Sequence, residues 1–114
     1  MDEKERAFNA AQRYIELKGG VVEGDANIGE DSFLVFTDEK DLVFAHILVS
    51  HDSLMETDKA ELRRIFEQAA ARWLSRNDVV DIILRCDEIA FLVVGESKAL
   101  LRHHINAIGG EFDE

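Results

Sequence analysis

Apolar residues along this chain follow two different periods. From residues 2 to 18, Ala7, Ala10, Ala11, Tyr14, Ile15 and Lys18 fall three or four apart, which predicts a helix with one buried stripe. Acidic residues at its start suit the helix dipole, and Gly19-Gly20 supplies a C-terminal stop. From Asp58 onward, Leu62, Ile65, Phe66, Ala69, Ala70, Trp73 and Leu74 repeat at i, i+3, i+4, i+7, i+8, i+11 and i+12, so a second, longer helix with a wide core-facing side is expected. Asp58 with Glu61 three residues on resembles a capping box.

Between the helices the period changes. Residues 32–37 (SFLVFT) and 42–49 (LVFAHILV) are rich in β-branched and aromatic residues and flank a polar turn, Asp38-Glu39-Lys40-Asp41. They predict an antiparallel hairpin. In the second run Leu42, Phe44, His46 and Leu48 share one face and Val43, Ala45, Ile47 and Val49 the other. Both faces are apolar except at His46, so this strand belongs inside a sheet covered on both sides. Residues 21–23 read as a short edge strand and 24–29 as a polar loop. Residues 79–94 are almost wholly apolar, interrupted by Asp81, Arg85, Asp87 and Glu88, and read as two strands or one bent strand with a break near 86–88. Residues 100–105 fit a short strand or a helical turn equally. The glycines at 109–110 and the acidic end after them read as a frayed terminus. The expectation is one α/β domain spanning 1–114, with a mixed central sheet of four to five strands flanked by helices.

Composition narrows the classes without naming one. The chain has 114 residues, 46% apolar and 32% charged, which is ordinary for a soluble globular domain. No apolar run is long enough to span a bilayer. The MDEKER start has neither the basic region nor the apolar segment of a signal peptide, so a cytoplasmic location and no membrane partner are expected. A net charge of −11 opposes general affinity for nucleic acid while leaving room for a local basic patch. The single Cys86 sits in an apolar run and reads as a buried, inert thiol.

Four strings, in order, resemble the YraN-like family of small bacterial proteins: RYIELKGG at 13–20, GEDSFLVF followed by DLVFAHILV, residues 59–74, and Leu84-Arg85-Cys86-Asp87 followed by HHINAI at 103–108. That resemblance covers nearly the whole chain. It implies a restriction-endonuclease-like fold, three layers deep as α/β/α. In that family an acidic residue on the first hairpin strand and an E-x-K on the second converge, joined by a glutamate from the first helix. The carboxylates hold Mg²⁺, which polarises the phosphate, and the lysine stabilises developing charge. The matching positions here are Ser32 for the aspartate, His46 for the glutamate, Leu48 for the lysine and Phe8 for the helix glutamate. All four are changed. Ser and His bring no anionic oxygen for Mg²⁺, and Leu48 carries no charge. Shifting the match by one residue puts Asp31 at the aspartate position, but alternation then turns Asp31 to the opposite strand face.

The resemblance therefore implies a pseudo-nuclease with these four positions as vestiges, no cofactor, and a role in binding. The partner would be protein, or nucleic acid through an arginine strip of Arg64, Arg72, Arg76 and Arg85. The plainer reading of those arginines is a solvated face balanced by Glu61 and Glu67. Two other functions stay open: a metal-dependent nuclease with a rearranged site at Glu30, Asp31 and His46, needing Mg²⁺, and a purely structural homodimer paired through a sheet edge. The plainer reading of His46 is a core histidine with a satisfied hydrogen bond. His103 and His104 are adjacent and would point apart on a strand, which fits structural or surface roles.

Overall fold

The computed structural model describes residues 2–78 and 82–109. The chain folds into a helix α1 (Glu3–Leu17), three strands β1 (Val21–Ile28), β2 (Asp31–Asp38) and β3 (Asp41–Ser50), a helix α2 (Lys59–Leu74), and two strands β4 (Ile83–Val93) and β5 (Ala99–His104). The five strands form one mixed sheet in the order β1-β2-β3-β4-β5. β1, β2 and β3 make an antiparallel meander. β4 lies parallel to β3, as a strand returning through a helix must, and β5 turns back antiparallel to β4.

Alternation splits the core into two layers. Phe33, Val35 and Phe44 pack on Leu62, Ile65, Phe66 and Ala69 of α2. Leu34, Phe36, Val43 and Ala45 pack on Ala7, Ala11 and Ile15 of α1. A sheet covered on both faces needs strands apolar on both faces, and β2 and β3 have them. α1 opens with a full capping box: Glu5 N–H donates to Asp2 Oδ1 at 2.8 Å and Asp2 N–H to Glu5 Oε1 at 3.1 Å. At α2, Asp58 accepts from Glu61 N–H at 3.3 Å. Among the described residues no helix is long and apolar enough to cross a membrane.

Two expectations about elements change, and one left open is decided. The short edge strand at 21–23 runs on through the expected loop to Ile28, with a bulge between Val22 and Gly24. VVEGDANI is polar because only its far end, at Ala26 and Ile28, is buried. The expected break at 86–88 is absent. β4 is continuous there because Asp87 and Glu88 are buried with partners. Residues 100–105 resolve as strand up to His104. The expectations for residues 79–81 and 110–114 lie outside the described residues.

Candidate functional site

Two polar clusters pass through the sheet, one on each face. On the α2 face the pairing sets Phe33 of β2 opposite His46 of β3, and His46 beside Glu88 of β4. Asp31, two residues before Phe33, shares that face. Asp31 Oδ1 lies 2.9 Å from His46 Nε2, and Glu88 Oε2 lies 3.0 Å from His46 Nδ1. The segment joining β3 to α2 lays Thr57 over the pair. Its hydroxyl donates to Glu88 Oε2 at 2.5 Å and its N–H to Oε1 at 3.1 Å. The Phe33 ring, 5.1 Å from the imidazole, closes the inner side.

An imidazole with a carboxylate at each nitrogen satisfies both by carrying both protons. Burial drags the His46 pKa down, but hydrogen bonds and charge from Glu88 and Asp31 outweigh it and hold the pKa above its ordinary value. Burial likewise pushes Glu88 up, and bonds from His46 and Thr57 bring it below the usual carboxylate range. The cluster is thus a cation between two anions. His46 and Glu88 are each 2% exposed, while 42% of the Asp31 side chain meets solvent.

On the α1 face Asp87, fully buried, is gripped from three sides. Arg85 donates from Nε and Nη2 at 2.9 Å each, His103 Nε2 lies at 2.7 Å, and Asn106 N–H donates at 2.9 Å. Burial works against its charge, yet these bonds hold its pKa below the ordinary value. Arg85 also reaches Asp38 and Asp41, each at 3.2 Å. His103 Nδ1 meets the Tyr14 hydroxyl at 2.9 Å, tying α1 to β5.

The expected site residues scatter. Leu48 follows His46 on the same strand face. Ser32 alternates to the other face, and Phe8 packs on the α1-side core. The four matched positions therefore do not converge. Asp31, expected to turn away under a one-residue shift, is instead the β2 residue that touches His46. Glu30 sits in the turn before β2, its carbonyl accepting from Lys4 Nζ at 2.7 Å. Arg85 stands apart from the other arginines of the expected strip. Arg85 is consumed by three aspartates on the opposite face from α2. Arg64 pairs with Glu61, and Arg72 donates to the Asn27 carbonyl at 2.7 Å. Arg76 joins Arg72 and Trp73 along a small cleft beside β1. Cys86 is buried, and burial raises its thiol pKa, so it offers no nucleophile.

Sequence reading missed Glu88, Thr57, Asp87 and Tyr14 as site residues. One signal was available. Two adjacent acids inside an apolar strand point to opposite faces, so each needs its own buried partner. Among the described residues no group of three His, Cys, Asp or Glu side chains is arranged to hold a metal ion. Fold and site together define a three-layer α/β domain with a charged cluster buried on each sheet face. No family model matches the chain, and no curated protein does either.

Proposed function

We propose that this chain is a catalytically inactive relative of the YraN-like proteins, built on a restriction-endonuclease-like frame, and that it works as a protein-binding module. The carrying observation is the His46 imidazole seated between Asp31 and Glu88. In a nuclease of that frame a divalent cation would neutralise the converging carboxylates. Here an internal cation does so, and both ring nitrogens are engaged, leaving no lone pair to offer a metal.

Two further observations support the reading. α1 and α2 pack on opposite faces of one mixed sheet, in keeping with the three layers that the resemblance implies. Arg85, Asp87 and Asn106, drawn from the two parts of the last string that carries the resemblance, meet in one hydrogen-bonded group. The net charge of −11 and the commitment of Arg85 to three aspartates favour protein over nucleic acid as partner.

The test is titration with Mg²⁺ and Mn²⁺, following backbone amide shifts of residues 28–36, 44–50 and 86–90, alongside cleavage assays on branched and single-stranded DNA. The expected result is no saturable local shift at millimolar metal and no cleavage. Saturation there, with cleavage abolished by Asp31→Ala, would instead establish the rearranged nuclease.

A further inference from the structure

The strand register sets two cross-strand rows side by side on the α1 face. Ile47, Ile89 and His103 make one, and Val49, Phe91 and Leu101 make the next. The first row is closed: Ile89 is buried, and Tyr14 of α1 reaches across to His103 at 2.9 Å. α1 meets the second row with small side chains. Ala10 stands four residues before Tyr14 on the same flank of the helix, and Ala7 three residues before that. Space that the Tyr14 ring fills beside the first row stays open beside the second. The result is an open cleft of about 750 Å³, within the size range of small-ligand sites. Ala7, Ala10, Val49, Phe91, Val93 and Leu101 give it an apolar wall.

Three cations line the same cleft. Arg6 and Arg13 come from α1. Lys98 comes from the turn between β4 and β5, where its carbonyl accepts from Val94 N–H at 3.0 Å. All three are exposed, and none has an ion-pair partner among the described residues. Two carboxylates also border the cleft: Glu3, which is paired with His51 at 2.8 Å, and Glu96, in the same turn as Lys98. In a chain with 24 acidic and 13 basic residues, this is a local reversal of charge.

We infer that this cleft binds a small amphiphilic anion, its apolar body against Phe91 and Leu101 and its phosphate or carboxylate among Arg6, Arg13 and Lys98. Guanidinium groups present paired donors that match the oxygens of either head group. An inorganic anion would leave the apolar wall in water, and a neutral apolar compound would leave the cations without a partner. The ligand is free in solution rather than part of a bilayer, because an anionic membrane surface repels a chain of net charge −11. The cleft lies on the sheet face opposite the His46 cluster. The inference therefore goes beyond the binding-module reading and does not depend on it.

The probe is decyl phosphate, followed by backbone amide shifts, with decanol, inorganic phosphate and decyltrimethylammonium as controls. Decyl phosphate is expected to saturate with a Kd of about 1 mM or below. It should shift amides of residues 6–13, 91–93 and 98–101 and leave those of 28–36 in place. Each control should bind roughly tenfold or more weakly. Arg6→Glu with Arg13→Glu, both on the surface, should weaken decyl phosphate roughly tenfold or more without changing the response to decanol. Lys98→Glu should act in the same direction. Absence of a saturable shift at millimolar decyl phosphate would overturn the proposal, as would decanol binding equally well. So would an unchanged affinity in the double arginine variant once its remaining amides match those of the wild type. Binding to phosphatidylglycerol vesicles through these same amides would overturn the free ligand in favour of a bilayer.

Discussion

His46 gathers Asp31, Thr57 and Glu88 at one point, and each comes from a different part of the chain. Its cost of burial is offset only while both carboxylates face it, and Glu88 depends on it in turn. His46→Ala should therefore leave Glu88 buried with Thr57 alone, costing about 3–5 kcal/mol in urea unfolding. Asp31→Asn, at the solvent end, should cost only about 1 kcal/mol. Equal and small losses from both would mean that the cluster holds no buried charge. At this scale the sequence marked His46 as the polar exception on an apolar strand. It could not name Glu88, 42 residues away, because only the register of β3 against β4 sets them side by side.

The elements with strong periodicity were legible, and the two whose burial is uneven were not. From Gly24 on, β1 reads as a loop because most of its side chains face solvent. The structure needs that glycine. Its φ is +154° beside a bulge, and a Cβ there would come within 3.1 Å of the Trp73 ring. Gly24→Ala should cost about 1–3 kcal/mol, seen as a lower urea midpoint with amide shifts around Trp73. A neutral effect would mean that the bulge relaxes without strain. β4 misled in the opposite way. Its adjacent acids look like a break, but alternation sends Asp87 to α1 and Glu88 to α2, where each meets cations already in place.

For the whole molecule, the buried charges predict how stability depends on pH. Glu88 and Asp87 have folded pKa values below their unfolded ones, so their contribution is present above about pH 4.5 and is lost as pH falls through the folded values. His46 has a folded pKa above its unfolded one. Its contribution is complete below about pH 6.5 and is lost as pH rises through the folded value. Around the imidazole stand Asp31, Glu88 and, from α2, Glu61 paired with Arg64. The urea midpoint should peak between about pH 4.5 and 6.5 and fall on both sides. In His46→Ala the alkaline fall should disappear. A wild-type midpoint flat from pH 6 to 9 would show that His46 does not titrate with folding.

Sequence alone determined the α/β class, both helices with the glycine stop of α1 and the Asp58 cap of α2, the central hairpin and the two-sided burial of β3. Each follows from local periodicity or from residues within one turn of each other. Tertiary structure alone decided that Asp31 rather than Ser32 faces His46, that Arg85 is spent on aspartates, and that Tyr14 of α1 reaches across to His103 of β5. The physical reason is the same in all three. A one-residue change of strand register reverses every facing, and which strands a helix covers depends on how the layers pack rather than on its own sequence.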